Sequence, residues 1–467
     1  MLAVFVSIIF LAVVFWGFPD SPSPWFDQGI NLSIVKTFAR DGVYSLGVGP
    51  NDFIGQRSLV FSTNYPLFSF IILSFKLFGV GLWQAQIVMV LFMAVFLWLA
   101  YLLSNVFLKN KILSLLAVAL VITFLPFYGN GLSGGLGEVP GLVYFISGLL
   151  LSRKDKPWLI FLSGVFFGLG AATKVFNTLL LPCLLAGELW YAWQAKKYLW
   201  KRWFLIFGGF ALPLLIWLFL LFPPGTIMEN FRATYSYYKN PYSLNDSFQI
   251  FRNALKFLTE TTPIHFLILI IAFVGGLLLK KKNPELKRME IIIAAYVLFN
   301  IFWFVRSPGW YRYFFPAHLI VLALFPGALA GWFGDKIRQS IIIGALTLLL
   351  FTQAAYLIKE RNSGLYYNPG PRMFAEFVNN NVSKEKDILV INNPAVAFLL
   401  ESDRVWQRLA INPYFIGGRD WFSESQYPDF IVLNNDSPIL LHNQEENLNK
   451  KYKKIYQVDR ARLWQKL

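Results

Sequence analysis

The chain has 467 residues, of which 56% are hydrophobic, 18% aromatic and only 15% charged. Since about a quarter of the residues of a soluble domain are charged, this composition excludes an ordinary soluble globule and indicates a membrane protein. The net charge of +16 does not indicate nucleic-acid binding, because Lys and Arg fall mainly in short breaks between apolar runs, where they set membrane topology. The single cysteine, Cys183, excludes a disulfide framework and a thiolate metal cluster.

The apolar runs predict an all-α polytopic membrane bundle. Each run is long enough, or nearly so, to cross ~30 Å of hydrocarbon with ~20 residues. Counting them gives about eleven transmembrane helices, with several short enough to make the count uncertain by one or two. The predicted spans lie near residues 2–18, 81–107, 112–127, 139–152, 158–173, 175–193, 203–222, 264–279, 289–305, 314–333 and 340–358.

Basic residues interrupt every second loop and thereby orient the bundle. The clusters are Lys109 and Lys111; Arg153, Lys154 and Lys156; Lys196, Lys197, Lys201 and Arg202; Lys280 to Lys282, Lys287 and Arg288; and Lys336 and Arg338. With these loops in the cytoplasm, the outer loops are 19–80, 128–138 and 223–263, together with a short turn at 306–313. The transmembrane domain then covers residues 1–358, and residues 359–467 are extracytoplasmic.

The segment YPLFSFIILSFKLFG, residues 65–79, decides this topology. As a helix it covers only about 21 Å, and it contains Lys76, so we interpret it as a helix at the membrane interface. Counting it as a span would invert every later basic loop.

The first outer loop contains an amphipathic segment, DQGINLSIVKTFARDG, which predicts a helix lying flat on the outer leaflet and ending at Gly42. Asp27 begins this helix. Two interpretations remain open: an N-cap, for which Asp is favoured, or a catalytic carboxylate. A second acid, Glu138, also begins a helix, beside Pro140 and on the same side.

Cations and tyrosines are predicted near these acids. Lys174 lies where two spans meet, and VRSPGWYRYFFPAH carries Arg306 and Arg312. A lysine at a helix end often snorkels, and interfacial aromatics often form a membrane belt, so each has a structural explanation of its own. Together they suit group transfer from a lipid-linked phosphate, in which a carboxylate takes the acceptor proton and cations stabilise the departing phosphate.

After residue 358 the composition becomes that of a soluble domain. KDILVI (386–391) and DFIVLN (429–434) predict buried strands, whereas PRMFAEFVNNN (371–381) and PAVAFLLES (394–402) have helical spacing. This alternation predicts a small α/β domain.

The segments WFDQGINLSIVKTFARDGVYS, NYPLFSFIILSFKLFG, GLGEVPGLVYF, GLGAATK and WYRYFFPA occur in that order across about residues 20–330. The chain thereby resembles the GT-C superfamily of membrane glycosyltransferases, close to the protein O-mannosyltransferases and the lipid A aminoarabinose transferase. The resemblance implies a GT-C fold and inverting transfer of a sugar from a polyprenyl-phosphate donor to an extracytoplasmic acceptor: a protein, a lipid or a glycan. It implies no cofactor and no catalytic metal.

The resemblance also implies roles for individual residues. Asp27 matches the general base, with Gln28 where the family commonly has a second acid, and Glu138 is implied as a further catalytic carboxylate. The family's Pro-Pro-Leu is Tyr65-Pro66-Leu67 here. The implied donor-phosphate ligands are Lys174, Arg312, Arg306 and Tyr65, and the implied substrate-binding residues are Asn64, Tyr311 and Tyr313.

Two further observations limit the function. The Trp-Trp-Asp signature of oligosaccharyltransferases is missing, which argues against transfer of a whole glycan to asparagine. A polytopic transporter or lipid flippase remains the alternative, since intramembrane charges can mark a pathway; against it, the chain shows no paired halves with matching broken helices.

Overall fold

The helices of the membrane domain follow the predicted pattern of apolar runs. The computed structural model describes residues 2–54, 63–196, 199–221, 228–229, 232, 247–260, 265–267, 269–271, 274, 284–307, 309–332, 336–361, 366–411, 414–416, 427–434 and 445–467. Its helices in this domain are α1 Leu2–Phe15, α2 Phe26–Asp41, α3 Tyr65–Phe78, α4 Leu82–Leu108, α5 Lys111–Ile122, α6 Leu125–Gly131, α7 Glu138–Leu151, α8 Pro157–Thr173, α9 Leu180–Ala195, α10 Trp200–Leu221, α11 Ser247–Thr259, α12 Pro284–Arg306, α13 Phe315–Trp332 and α14 Lys336–Arg361.

Every predicted span coincides with a helix except 264–279, of which a large part lies outside the described residues. Four helices are long and apolar enough to cross a membrane: Leu82–Leu108, Trp200–Phe219, Pro284–Arg306 and Ser340–Glu360. The pair α5 and α6, bent by 64°, makes a fifth if it is counted as one span. The other apolar helices are shorter than 18 residues. The helical character is confirmed, whereas the number of about eleven spans and the side that each end faces stay predictions.

Glycines let α8 and α10 approach backbone to backbone. A Cβ atom at Gly164 would meet the carbonyl oxygen of Ile206, and one at Gly209 would meet that of Phe161. This contact agrees with the small-residue pattern in GVFFG, which favours close packing of membrane helices.

A buried ionic cluster closes one end of the bundle. Arg288 donates to Glu188 at 2.7 Å and Arg202 donates to the same carboxylate at 2.9 Å, while both guanidinium groups donate to the carbonyl oxygen of Ser152 at 2.8 Å. Ser152 follows the last residue of α7, so this cluster lies about 20 Å from Glu138, the first residue of that helix.

The C-terminal part is the predicted α/β domain. Its elements are α15 Gly370–Asn381, β3 Ile388–Ile391, α16 Pro394–Leu399, β4 Val405–Ile411, β5 Tyr414–Ile416, β6 Phe430–Asn434, α17 Glu445–Lys451, β7 Tyr452–Val458 and β8 Ala461–Lys466. A short hairpin, β1 Leu46–Gly49 and β2 Asp52–Ile54, lies in the membrane domain. The strand order is β5-β4-β3-β6-β8-β7, with β4, β3 and β6 parallel and the other pairs antiparallel. The sequence did not predict β4, β5, β7 and β8.

The α/β domain packs directly on α2. Gly29 lies against the backbone of Pro394 and Ala395, and Lys36 donates to the carbonyl oxygens of Phe398 and Leu400 at 2.9 and 2.6 Å. Burial lowers the pKa of Lys36 to about 8. These contacts contradict the prediction that α2 lies flat on the outer leaflet.

The helix α2 does not lie flat on a membrane with its polar side in water. Asn31 and Thr37, two of the polar residues of this helix, are buried. The physical reason is that the polar side is covered by protein, with α16 on one part of it and the glycine-rich loop before α7 on another.

Candidate functional site

The start of α2 positions Asp27. The N-cap is Trp25, whose backbone is extended (φ −122°, ψ −177°), and the helix has no side-chain cap. Asp27 therefore lies inside the first turn, and its interpretation as the N-cap is wrong. A carboxylate in the first turn is favoured by the helix dipole, and the hydrogen bond described for this side chain joins it to Arg312.

Asp27 forms an ion pair with Arg312, which comes from a 3₁₀ turn, Tyr311–Tyr313, between α12 and α13. Arg312 Nη1 donates to Asp27 Oδ2. The Asp27 side chain keeps 29% of its surface exposed, so a substrate can reach the carboxylate from outside. Residues far apart in sequence thus bring one acid and one cation together, as the group-transfer hypothesis requires.

Glu138 and Lys174 form a second ion pair. Lys174 Nζ lies 2.8 Å from Glu138 Oε1, and the two side chains are 5% and 1% exposed. Lys174 follows the last residue of α8 and bridges to Thr63, whose hydroxyl lies 3.5 Å from the ammonium. Glu138 Oε2 is buried and has no hydrogen-bond partner among the described residues.

The loop before α7 connects the two ion pairs. Asn31, one turn after Asp27, donates to the carbonyl oxygen of Gly135 at 2.8 Å. Gly135 has a positive φ of 83°, which favours glycine. Three residues later the chain reaches Glu138, at most about 10 Å further on. The start of α2, with Asp27, therefore lies near the start of α7, with Glu138, although each acid contacts a different cation.

The predicted tyrosines have defined partners. Tyr65 donates to the carbonyl oxygen of Pro213 at 3.1 Å, and burial raises its pKa to about 12. The Tyr311 hydroxyl lies 2.9 Å from His318 Nδ1, and burial raises its pKa well above the ordinary value. Both phenols stay protonated at neutral pH, so they can donate hydrogen bonds but do not serve as bases. Tyr313 is buried against Trp310.

Two predicted residues have contacts that do not include either acid. Arg306 ends α12, is exposed, and places its guanidinium 5.9 Å from the Phe302 ring of its own helix. Asn64 is buried, and its backbone N–H donates to the carbonyl oxygen of Thr173 at 3.1 Å. Asn64 thus lies beside Lys174, whereas none of the contacts described for Arg306 brings it to the site. Their proposed roles stay predictions.

Sequence reasoning missed three residues that contact the site. Trp25 and Trp310 flank Arg312, and Thr63 contacts Lys174. The two tryptophans did carry a signal, because each lies within two residues of a predicted site residue, in SPWFD and in GWYRY. Thr63 carried none, since its contact depends on an isolated bridge between distant segments.

Comparisons with known proteins agree with this architecture. No family model matches the chain, and no curated protein matches it. Among solved structures, the chain is similar to ArnT from Cupriavidus metallidurans bound to undecaprenyl phosphate, with a TM-score of 0.62 at 13% identity, covering 99% of this chain and 97% of that one. The apo state of the same protein gives a TM-score of 0.57 at 13% identity with the same coverage.

A second relative differs more in length. The archaeal oligosaccharyltransferase AglB from Archaeoglobus fulgidus, in complex with an inhibitory peptide and a dolichol-phosphate, gives a TM-score of 0.53 at 12% identity over 93% of this chain and 69% of that one. At such identities the similarity establishes the fold. The resemblance seen in the sequence is confirmed at that level: the chain has the fold of the GT-C membrane glycosyltransferases.

Proposed function

We propose that this protein is a membrane glycosyltransferase that moves a sugar from a polyprenyl-phosphate donor to an acceptor, with Asp27 as the general base. The observation that carries the proposal is the ion pair between a partly exposed Asp27 and Arg312. Two solved proteins of this fold are described with undecaprenyl phosphate and dolichol-phosphate, which supports a lipid phosphate as the donor class. A lipid-linked donor also supports the prediction that the active site and the C-terminal α/β domain lie on the extracytoplasmic side of the membrane.

The chemistry needs one base and one anion site. The acceptor hydroxyl oxygen forms a bond to the anomeric carbon while its proton passes to an oxygen of Asp27. The bond between that carbon and the phosphate oxygen breaks, and its electron pair leaves with the polyprenyl phosphate. Arg312 stabilises the charge that develops there. Attack from the side opposite to the phosphate inverts the anomeric centre.

The ion pair itself suggests the order of binding. Before substrate arrives, an N–H group of Arg312 donates a hydrogen bond to Asp27. A phosphate offers the guanidinium more acceptor oxygens and more charge than one carboxylate. When the donor phosphate takes Arg312, Asp27 becomes able to accept a proton. The donor therefore binds before the acceptor is activated.

The buried pair of Glu138 and Lys174 has a different role from the pair of Asp27 and Arg312. Because Glu138 and Lys174 are almost inaccessible, no phosphate contacts Lys174 while the pair is closed. The assignment of Lys174 to the donor phosphate requires the ammonium to move from Glu138 to the phosphate. Until then the pair holds the ends of α7 and α8 against Thr63.

A pair of matched variants tests the proposal. Asp27→Asn keeps the size of the side chain but removes the base. Asp41→Asn is the control, because Asp41 lies on the same helix, pairs with Arg40 at 3.0 Å, and has 27% of its side chain exposed, close to Asp27. Protein in liposomes receives a panel of undecaprenyl-phosphate hexoses and pentoses, with membranes from the host as the acceptor source, and release of undecaprenyl phosphate is measured.

We expect Asp27→Asn to lose about 100-fold or more of the turnover while it retains bound donor lipid, and Asp41→Asn to retain turnover. A transporter or lipid flippase would move lipid across the bilayer without releasing sugar, and Asp27→Asn would change that movement little. Turnover that survives in Asp27→Asn contradicts the assignment of the base.

A further inference from the structure

Three aromatic rings surround the guanidinium group of Arg312. Its central carbon lies 5.2 Å from the ring centroid of Trp25, 4.6 Å from that of Trp310 and 5.4 Å from that of Tyr313. Trp25 belongs to the start of α2, whereas Trp310 and Tyr313 belong to the turn between α12 and α13. The rings and the ion pair with Asp27 together form one surface, which we call the Trp25–Trp310 platform.

The platform is held firmly in place. Tyr313 is buried and stacks behind Trp310 with an angle of 10° between the rings. The backbone just before Trp310 is fixed by Asn253 of α11, which donates to the carbonyl oxygens of Val305 and Ser307 at 2.9 and 2.5 Å. Such a rigid arrangement reduces the entropy that a ligand would otherwise lose on binding.

Both tryptophans nevertheless keep large exposed surfaces. Trp25 is 40% exposed and Trp310 is 45% exposed, beside a carboxylate and a guanidinium that can bind hydroxyl groups. The rings of a membrane belt point separately towards lipid, but these two come from distant segments and converge on one charged group. The surface thus combines flat apolar faces with one strong acceptor and one strong donor.

This combination matches a saccharide ring. A sugar presents an apolar face of C–H groups, which packs on an aromatic ring, and a rim of hydroxyl groups, which a carboxylate and a guanidinium bind. A lipid tail would leave the charged pair without partners, and an extended peptide has no comparable flat face. Trp25 lies two residues before Asp27 and its ring lies 5.2 Å from the guanidinium carbon that pairs with this carboxylate, so a sugar packed on the ring has a hydroxyl group within reach of the base.

We propose that the Trp25–Trp310 platform binds a saccharide ring of the acceptor, so that the acceptor is a glycan or a glycolipid. This inference deepens the proposed function and rests on it. The ring packs on the exposed surfaces of the two tryptophans, and one of its hydroxyl groups reaches Asp27. The donor phosphate occupies Arg312 on the other side of the reacting carbon.

Saturation-transfer-difference NMR on protein in phospholipid nanodiscs tests binding without any sugar-based detergent. The probes are methyl α-D-mannopyranoside and methyl β-D-glucopyranoside, with an acetylated serine peptide amide as the peptide-class probe. The variants are Trp25→Leu and Trp310→Leu, and Trp98→Leu is the control because Trp98 is an exposed tryptophan of α4 away from the platform.

We expect saturation transfer to the ring protons of at least one glycoside, about five- to tenfold weaker in Trp25→Leu and Trp310→Leu and unchanged in Trp98→Leu. Equal saturation transfer to the glycosides in the wild type and all three variants overturns the proposal. Saturation transfer to the peptide but to neither glycoside overturns it as well. The loss of a peptide signal alone in the two variants would identify a protein acceptor and would equally overturn it.

A second readout separates the acceptor sugar from the donor sugar. In Trp25→Leu and Trp310→Leu, hydrolysis of an undecaprenyl-phosphate sugar by water, without acceptor, should fall by a smaller factor than saturation transfer to the glycoside. A matching loss of hydrolysis would place the donor sugar on the platform and overturn the acceptor assignment. Failure of the proposed function gives a different result. The wild type would then release no sugar from any donor, whether or not the glycosides receive saturation transfer.

Discussion

The substitution Lys174→Met should destabilise the protein strongly, although Lys174 lies at the end of a helix. Its ammonium is 2.8 Å from Glu138 Oε1, and both side chains are almost completely buried. At an effective dielectric constant of about 20, charges at that separation attract each other by about 6 kcal/mol. Desolvation offsets much of this attraction while the pair is intact, but removal of one partner leaves a buried charge that nothing compensates.

The expected cost follows from this imbalance. Lys174→Met and Glu138→Gln should each lower the free energy of unfolding by about 3–5 kcal/mol. The double variant Glu138→Gln/Lys174→Met buries no charge and should cost less than about 2 kcal/mol, so the two effects are strongly non-additive. Lys76→Met is the control, since Lys76 is an exposed lysine of α3.

Unfolding by SDS in mixed micelles, followed by tryptophan fluorescence, measures these values, and binding of undecaprenyl phosphate is measured in parallel. If Lys174 also binds the donor phosphate, the double variant recovers most of its stability but binds undecaprenyl phosphate at least about tenfold more weakly than the wild type. Single variants that each cost under about 1 kcal/mol, or a double variant as unstable as the sum of the singles, would refute the reasoning about the buried pair.

Three further predictions concern other charged groups. Arg312→Lys loses the planar fork and should bind undecaprenyl phosphate about tenfold more weakly, whereas Arg372→Lys, which alters the ion pair between Arg372 of the α/β domain and Asp20 of the membrane domain, should bind it normally. Burial lowers the pKa of Lys36 to about 8, so the unfolded chain binds more protons than the fold between about pH 8 and 10.5. Thermal stability should therefore rise with pH across this window, and Lys36→Met should lack that rise. Glu188→Gln should cost about 3–5 kcal/mol, since it leaves the buried Arg202 without its carboxylate and Arg288 with Glu285 alone. It should leave undecaprenyl phosphate binding unchanged, because the cluster lies at the opposite end of the bundle.

Much of the helical architecture was predictable because hydrophobic length is a strong signal. The apolar runs located the helices of the bundle, and the alternation of strands and helices after residue 358 located the central strands of the α/β domain, Ile388–Ile391 and Phe430–Asn434. These signals are local, since each depends on the residues of a single element. The strands β4, β5, β7 and β8 were missed. In β4, β7 and β8 charged and amide residues interrupt the apolar ones (VWQRLAI, YKKIYQV and ARLWQK), which gives only a weak strand pattern, and β5 has only three residues.

The site was only partly predictable, because it depends on contacts between distant segments. The sequence indicated that Asp27, Glu138, Lys174 and Arg312 belong together, but not that each acid has its own cation. Nor did it show that Trp25 would be the N-cap of α2. Local propensity favours Asp at that position, whereas the tertiary contact with Arg312 decides where the carboxylate lies.

The packing of α2 shows the same limit. Its amphipathic pattern is compatible with a membrane surface or with another protein surface, since both cover one apolar stripe. Only the fold shows that Lys36 binds the end of α16 and that Asn31 binds Gly135.

The most direct measurement is an experimental structure of Asp27→Asn in nanodiscs with an undecaprenyl-phosphate sugar bound. We predict the phosphate on the guanidinium group of Arg312, with the anomeric carbon between that phosphate and the side chain at position 27. A phosphate bound elsewhere, with Arg312 still against residue 27, would contradict the account.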